Sequence, residues 1–409
     1  PLGWNQFAGW GVTIVGALAL GLVFAALGRR LPLAGGPYAY ARAAFGPLAG
    51  FVAAWAYWVM SWVGNAAVAV AVVSALALIF PALGTTTGAP ALLAVACVWI
   101  VTLVNIRGVR AAGRLQEWTV ALKLLPLVLL ILLALWFALS GAPRAPDPQV
   151  AFTADKVAFA AGLTFWGFLG LEAATVPADK VEDAQRNIPR ATLWGVALTG
   201  VIYLGISAAF AFYMPVEEAA ASPAPVAAFL GRVFGPEVAT AVALFAAISA
   251  FGTLNGWILV QAEMPWAMAK GGVFPAWFAA ENAQGSPVRS HLVSSTLLSI
   301  ITLLNYQRGM GDLFNFIASV SLAAGLIAYL FSALAVLRLS RDSAVTLLAA
   351  VLSAGYICWA EWGLGAKDLA YGLLFGEWGG SAEVILYAGL LILAGLPFYW
   401  WVRNAKASG

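Results

Sequence analysis

Long apolar segments alternate with short polar loops along the whole chain. A run of about 20 apolar residues predicts a membrane-spanning helix. We place eleven such helices, at residues 9–28, 46–80, 90–106, 117–140, 152–177, 191–214, 233–268, 289–306, 311–338, 344–363 and 381–402. The segments 46–80 and 233–268 are longer than a minimal span, so we expect these helices to tilt or to protrude from the bilayer. The pattern predicts an all-α polytopic membrane protein.

Composition supports this class and excludes others. The chain is 63% hydrophobic and only 10% charged, with a mean hydropathy of +0.90, whereas soluble domains carry about 25% charged residues. A net charge of +3 is too small to suggest a nucleic-acid partner. The chain has one histidine, His291, and two cysteines, each in an apolar stretch. We therefore expect neither a metal site nor a cofactor.

The basic residues are distributed unevenly between the loops. Fifteen of the 21 Lys and Arg residues fall in one set of alternate loops and in the C-terminal tail, five fall in the opposite set, and Lys123 lies inside a span. Because cytoplasmic loops carry an excess of Lys and Arg, the C-terminus is predicted to be cytoplasmic. With eleven spans Pro1 would face outside, and one further helix upstream would put both ends in the cytoplasm.

The segment 162–172 combines glycines, a tryptophan and an acid in the middle of an apolar span. It reads Gly-Leu-Thr-Phe-Trp-Gly-Phe-Leu-Gly-Leu-Glu and ends at Glu172. A carboxylate at membrane depth costs roughly 2.5–3.5 kcal/mol on insertion scales, so such a residue usually has a function. Glycines loosen the helix, and open backbone in a bilayer is tolerated where it lines a cavity. The segment predicts a discontinuous helix at a solute-binding cavity, as in secondary transporters.

A membrane enzyme is the competing class. In a membrane enzyme we would expect a cluster of acids or histidines, or a nucleophile motif, at one membrane face. The chain contains no His-Glu-x-x-His pair and no Gly-x-Ser-x-Gly motif, so we do not expect an enzyme. A sensor that binds amino acids without transporting them is a third reading, although the chain offers no long cytosolic tail for signalling.

Three stretches resemble the amino acid–polyamine–organocation permeases. They are Pro-Leu-Ala-Gly-Gly-Pro-Tyr-Ala-Tyr-Ala-Arg-Ala-Ala-Phe-Gly at 32–46, Phe-Trp-Gly-Phe-Leu-Gly-Leu-Glu at 165–172 continuing to Asp-Ala-Gln-Arg-Asn-Ile-Pro-Arg-Ala-Thr at 183–192, and Lys-Gly-Gly-Val-Phe-Pro-Ala-Trp-Phe at 270–278. Together and in this order they are specific, and the resemblance covers essentially the whole chain. Within the family, the segments around 56–65, 255–257 and 319–321 are most similar to the arginine/agmatine antiporter type.

The resemblance implies two inverted five-helix repeats followed by two further helices. Residues 1–140 would be the remainder of the first repeat, 152–338 the second repeat, and 344–402 the two further helices, all in one permease domain over 1–409. The match begins in a segment similar to the loop before the family's second helix. We therefore expect the broken first helix of the family, which holds part of the substrate, to be absent from this sequence.

Six residues are candidates for substrate binding or gating. Trp166 and Trp257 could cover a cationic or aliphatic substrate group, because a cation is attracted to an aromatic face. Tyr57, Ser61 and Asn65 recur every four residues and so share one helix face, and Ser321 could donate a hydrogen bond to the far end of the substrate. Each has a structural alternative: helix packing for the tryptophans, and hydrogen bonds or close approach between helices for the polar residues.

Glu172 and Lys123 are the candidates for coupling. Removal from water favours the neutral form of a carboxyl group, so Glu172 could bind and release a proton during transport; an acid held by helix amides is the alternative. The resemblance implies that Lys123 is a fixed cation that replaces the sodium ion of related transporters. Lysine here is typical of proton-coupled permeases with broader, often neutral, specificity rather than of the arginine/agmatine type. Lys123 could also extend to a helix end, because lysine side chains snorkel.

These observations predict a secondary active transporter of amino acids that works by exchange or proton-coupled alternating access. Cationic amino acids or polyamines are slightly favoured as substrates, and a proton-coupled permease for neutral amino acids is the alternative. We expect amino acids or polyamines, protons and the lipid bilayer as partners, no nucleic acid, and a homodimer as a possible assembly. The family resemblance and the short loops place the protein in a bacterial inner membrane.

Overall fold

The computed structural model describes residues 2–85, 88–147, 149–222, 224–305, 310–339, 343–376, 379 and 381–407. Helices dominate these ranges, and none of the residues in them lies in a β-strand. The first group of helices is α1 (Asn5–Arg30), α2 (Pro37–Phe45), α3 (Pro47–Ile79), α4 (Ala82–Thr85), α5 (Ala89–Ile106) and α6 (Val109–Ser140).

The second group follows an extended connection after α6. It comprises α7 (Ala154–Trp166), α8 (Ala184–Tyr213), α9 (Val216–Ala221), α10 (Pro225–Phe234), α11 (Pro236–Lys270), α12 (Val288–Asn305) and α13 (Met310–Leu339). Short 3₁₀ turns lie at Ala173–Thr175, Ala178–Lys180 and Ala276–Ala279. The last group is α14 (Ala344–Glu361), a π-helical turn at Trp362–Ala366, α15 (Lys367–Phe375), α16 (Ala382–Leu393) and α17 (Leu396–Ala407).

The eleven predicted spans all have helical counterparts. Among the described residues, nine helical segments are long and apolar enough to cross a membrane, and the shorter helices α7 and α12 account for the other two. The last span is two helices, α16 and α17, rather than one. Several helices also extend beyond their predicted limits, because hydropathy detects only the apolar part of a helix. One example is α6, which begins at Val109 rather than at 117.

α3 lies at the centre of the protein and makes its most extensive contacts with α11 and α13. Its start is defined by Gly46 and Pro47, because proline at the first helical position lacks only an amide hydrogen that would have no partner there. Most of its side chains are buried, as are those of α1 and α13. The central position of α3 lets residues from distant parts of the chain meet around it.

α6 and α8 lie at the periphery and present large apolar side chains to their surroundings. Trp118, Leu139 and Trp194 are 74%, 79% and 76% exposed. Continuous exposed apolar surface of this kind marks a membrane or protein contact, and here it covers helices of spanning length. The arrangement is that of a multi-pass membrane protein.

Candidate functional site

α7 is the short helix that carries the predicted break. It begins after Thr153, whose side chain accepts a hydrogen bond from the backbone amide of Lys156, a common helix N-cap. Near its C-terminal end, the hydroxyl of Thr13 from α1 lies 2.8 Å from that of Thr164 and 3.0 Å from that of Tyr356 on α14. These contacts hold α7 against two neighbouring helices just before the break.

The helix ends at Trp166, as the glycine pattern predicts. Residues 167–172 form successive tight turns, in which the amide of Phe168 donates to the carbonyl of Phe165 at 2.8 Å and that of Ala173 to Gly170 at 2.9 Å. Gly170 has φ +100°, a conformation that side chains with a Cβ rarely adopt. A Cβ atom there would also lie 2.9 Å from a ring carbon of Trp257. A discontinuous helix is therefore present, and Gly170 allows it to pass close to Trp257.

We expect Gly170→Ala to lower stability, because the substitution adds both backbone strain and a clash with Trp257. Strained conformations of this kind cost about 1–3 kcal/mol, so the detergent-solubilised protein should unfold at a lower temperature. Gly389→Ala in α16 is the matched control, since no atom lies within 4 Å of a Cβ atom built there. If the Gly170 and Gly389 variants unfold at the same temperature, the requirement for glycine in the turn is disproved.

Glu172 lies at the end of the turn and is completely buried. The hydroxyl of Tyr57 on α3 donates to its Oε1 at 2.6 Å, and the hydroxyl of Tyr329 on α13 donates to its Oε2. The same Tyr329 oxygen accepts a hydrogen bond of 3.2 Å from the amide of Gly170. The carboxyl group thus connects the broken helix to α3 and α13.

A cavity of about 510 Å³ opens beside the broken helix. Side chains or backbone of α3, α6, α8, α11 and α13 line it together with residues 166–171, 173 and 174. The predicted site residues that line it are Ser61, Asn65, Lys123, Trp166, Trp257 and Ser321. Tyr57 and Glu172 are not among the lining residues; they form the buried hydrogen-bonded pair described above. The structure therefore places six of the candidates at the cavity, and it places Tyr57 and Glu172 together outside the cavity lining.

The two tryptophans flank the turn at the cavity. Trp166, at the end of α7, packs edge-on against Phe314 with ring centroids 5.1 Å apart. Its indole Nε1 is buried without a hydrogen-bond partner in the described part of the protein. Trp257 on α11 contacts the turn at Gly170. Both side chains are only partly buried, so aromatic surface remains available to a ligand in the cavity.

The polar residues on α3 and α13 are partly engaged between helices. Ser61 donates to the carbonyl of Tyr57, one turn earlier, at 2.8 Å, and Ser321 donates to the carbonyl of Met60 at 2.8 Å. The amide nitrogen of Asn65 donates to Gln261 on α11 at 2.8 Å, while its Oδ1 has no described partner. Oδ1 of Asn65 is therefore a buried acceptor without a described partner, whereas the hydroxyl hydrogens of both serines are already donated.

Lys123 lies on α6 and lines the same cavity. Among the described residues, none forms a hydrogen bond or an ion pair with its ammonium group. Its position on the cavity places a positive charge within reach of a bound solute.

An ion pair follows the broken segment. Lys180 Nζ lies 2.6 Å from Oε1 of Glu263 on α11, with the lysine side chain 22% and the glutamate side chain 1% exposed. The same ammonium lies 4.9 Å from the ring centre of Trp266. The pair ties the segment after Glu172 to the C-terminal part of α11.

We expect Lys180→Met to destabilise the protein strongly, because it leaves the Glu263 carboxylate buried and unpaired. Breaking one partner of a buried pair costs about 3–5 kcal/mol, and adding Glu263→Gln should recover part of the lost stability. Lys270→Met is the control, since its contact with Glu281 is 4.0 Å long and more exposed and should contribute about 0–1 kcal/mol. Equal unfolding temperatures for the Lys180 and Lys270 variants would rule out this role.

Sequence reasoning did not identify Tyr329, Gln261 or Lys180. A tyrosine or glutamine inside an apolar span signals a hydrogen-bond partner, because its polar atoms have no water there. That signal applies to Tyr329 and Gln261, yet it does not indicate which partner they bind. Lys180 sits in a loop and carries no such signal.

Comparison with known proteins agrees with this architecture. A cadaverine/lysine antiporter of Escherichia coli is 29% identical over 372 residues, which cover 88% of this chain and 83% of the relative. A putrescine transporter of Haemophilus influenzae is 28% identical over 379 residues, covering 91% and 87%. Two crystal structures of a manganese transporter from Eremococcus coleocola share the fold at 14% identity. Their TM-scores are 0.53 and 0.55, and the matches cover 98% of this chain and 87% and 89% of theirs.

A protein family also matches most of the chain. The family described as amino acid permease matches residues 6–360. The matched range includes nearly all of α1, the broken helix, both tryptophans, Glu172, and the helices α3, α11 and α13. The fold is the inverted-repeat fold of such transporters, with nine helices of spanning length and the shorter α7 and α12 among the described residues, and the family consists of transporters rather than enzymes. The chain belongs to the amino acid permease family.

Proposed function

We propose that the protein exchanges cationic amino acids and their decarboxylated amines across the membrane, with the 510 Å³ cavity as the binding site. The observation that carries this proposal is the cavity at a helix break, flanked by Trp166 and Trp257. Its volume suits a small solute, and the aromatic faces suit an ammonium, guanidinium or alkyl group. The relatives named for cadaverine, lysine and putrescine support a cationic substrate; they do not favour a neutral substrate or a sensor.

Ligand contacts in this proposal come mainly from three residues. Trp166 and Trp257 cover the substrate tail, and Oδ1 of Asn65 accepts a hydrogen bond from it. Ser61 and Ser321 contribute their hydroxyl oxygens as acceptors, because their hydrogens are donated to backbone carbonyls. Tyr57 acts through Glu172 rather than by contact with the substrate, since it is buried beside that carboxyl group.

Glu172 is the proposed site of proton coupling. An ionised carboxylate accepts hydrogen bonds from both Tyr57 and Tyr329, whereas a protonated one has an O–H to donate and must rearrange with its partners. Protonation would therefore change the hydrogen bonds by which Glu172 joins the broken helix to α3 and α13. In this proposal that change biases the protein between its outward-open and inward-open forms. Lys123 contributes a fixed positive charge at the cavity beside the broken helix.

The position of the C-terminus, the membrane location and the assembly belong to the same proposal. We place the C-terminus in the cytoplasm on the basis of loop charge, and the protein in a bacterial inner membrane. Residues 1–409 form one transmembrane permease domain, with 1–140 in the first repeat, 152–338 as the second repeat and 344–402 as the two further helices. Protons and lipid are partners in this proposal, and a homodimer is its proposed assembly.

Counterflow into proteoliposomes tests the function directly. Vesicles loaded with unlabelled lysine, arginine, ornithine, cadaverine, putrescine, alanine or leucine are diluted into labelled lysine or cadaverine. We expect labelled uptake only when the interior holds a cationic solute. Uptake driven by alanine or leucine alone would indicate a neutral permease, and binding without any counterflow would indicate a sensor.

A further inference from the structure

The ammonium group of Lys180 occupies a site that is built by α11 and by the loop before α12. Its Nζ lies 2.6 Å from Oε1 of Glu263, 3.5 Å from the backbone oxygen of Gly285 and 4.9 Å from the centre of the Trp266 ring. A carboxylate, a carbonyl oxygen and an aromatic face are groups that bind an ammonium ion. None of them belongs to the segment that carries Lys180, so the chemistry of the site does not depend on the side chain that fills it.

The site lies one helical turn beyond the cavity. Val260 on α11 lines the cavity, and Glu263 follows it by three residues, which is about 4.5 Å along the helix axis. Residues three apart are neighbours on the helix surface. Ala174 lines the cavity on the side of the broken segment, and Lys180 follows it in the same segment. A solute that leaves the cavity toward the C-terminal end of α11 therefore passes close to Glu263.

The segment after the break packs across this route. The amide of Gly35, in the loop between α1 and α2, donates to the carbonyl of Val176 at 2.8 Å. The ion pair of Lys180 with Glu263 holds the end of the same segment against α11. Passage of a solute therefore requires the segment to move and the ammonium of Lys180 to leave Glu263.

The carboxylate of Glu263 is costly to leave without a cation. Its side chain is 1% exposed, and removal of one partner of a buried pair is strongly destabilising because the remaining charge is uncompensated. A second cation that takes the place of Lys180 removes this cost. The solutes of the proposed exchange carry such a cation, since lysine, ornithine, cadaverine and putrescine each end in a primary ammonium group like that of Lys180.

We propose that Glu263, Trp266 and the backbone of Gly285 form a second substrate site, in which the terminal ammonium of a cationic substrate replaces that of Lys180. The proposal rests on the exchange function proposed above and adds a step after the cavity. In this step the substrate ammonium binds Glu263 as Lys180 withdraws, so the carboxylate stays paired while the segment moves. A neutral amino acid has no terminal ammonium and does not release Lys180 in this way.

Rescue by a small amine tests the site itself. Lys180→Ala removes the native ammonium, and the unfolding temperature of the purified variant is measured in detergent with n-butylammonium, tetramethylammonium or butanol. We expect n-butylammonium to recover about half or more of the lost unfolding temperature, with an effect that grows with concentration, because it binds the folded state. Tetramethylammonium has no N–H to donate and butanol has no charge, so both should have little effect.

Two variants control the rescue. Lys270→Ala is the matched control, because this lysine lies 5.5 Å from the same Trp266 ring but its side chain is 52% exposed. The amine should not change the unfolding temperature of that variant. Adding Glu263→Gln to Lys180→Ala should abolish the rescue, because the carboxylate that binds the ammonium is then absent.

Acylation of the wild-type protein tests the replacement step and does not depend on any variant folding. The fraction of Lys180 that reacts with acetic anhydride is measured by mass spectrometry. Lys367 on α15 is the internal reference, since its side chain is 32% exposed and lies on a different helix from the site. We expect saturating cadaverine or lysine to increase the ratio of Lys180 to Lys367 labelling, and leucine to leave the ratio unchanged.

Either of two results would overturn the proposal. If n-butylammonium stabilises Lys180→Ala no more than tetramethylammonium does, the site does not recognise an ammonium group. If saturating cadaverine leaves the labelling ratio of the wild-type protein unchanged, the pair of Lys180 and Glu263 is purely structural, and this result decides alone when Lys180→Ala does not fold. Rescue by the amine in a protein without counterflow would keep the ammonium site and reject the transport function, so the two failures are distinguishable.

Discussion

Glu172→Gln is expected to lower exchange by about tenfold or more and to flatten its dependence on pH. A glutamine side chain cannot bind or release a proton between pH 5 and pH 8. Its amide nitrogen also cannot accept the hydrogen bond that a carboxylate oxygen accepts. One of the two bonds from Tyr57 and Tyr329 must therefore be lost or rearranged. A hydrogen bond to a charged group contributes about 1.5–3 kcal/mol, and each 1.4 kcal/mol corresponds to a factor of ten.

The measurement is the initial rate of counterflow in proteoliposomes between pH 5 and pH 8. Glu237→Gln is the control, because this exposed residue in the first turn of α11 lies outside the Glu172 network. Tyr329→Phe removes one donor while keeping the acid, so it should lower the rate and leave the profile dependent on pH. A Glu172→Gln profile that matches the wild-type profile would refute proton coupling at this residue.

Trp166→Leu is expected to weaken substrate binding by about tenfold. The substitution removes an aromatic face at the cavity, and a desolvated cation–π contact contributes about 2 kcal/mol. It also removes the edge-on contact with Phe314, so the end of α7 loses part of its packing. We expect the dissociation constant to rise more for a cationic ligand than for a neutral analogue of the same shape.

Calorimetric titration of the purified variant with lysine or arginine provides the measurement. The matched control is Trp194→Leu, because Trp194 is 76% exposed on α8 and does not line the cavity. Trp166→Phe keeps an aromatic face and should bind more tightly than the leucine variant. If affinity and exchange rate are the same in Trp166→Leu as in the wild-type protein, Trp166 serves packing only.

The helix break illustrates how far local sequence reasoning extends. The glycines and the acid between 162 and 172 predicted a discontinuous helix, and α7 ends at Trp166 inside that segment. The same reasoning placed Tyr57, Ser61 and Asn65 on one face of α3. It did not separate their roles: Asn65 lines the cavity and contacts Gln261, whereas Tyr57 is directed to Glu172.

The membrane-length helices and the break could be predicted because both follow from local requirements. A chain in lipid must satisfy its backbone hydrogen bonds within each segment, so length and hydropathy reveal the helices, and glycine reveals where they open. The partners of buried polar side chains come from elsewhere: Tyr57 and Tyr329 lie 115 and 157 residues from Glu172. Only the packing of α3, α11 and α13 brings such residues together, because a side chain that has no water must find its partner on whichever helix lies beside it.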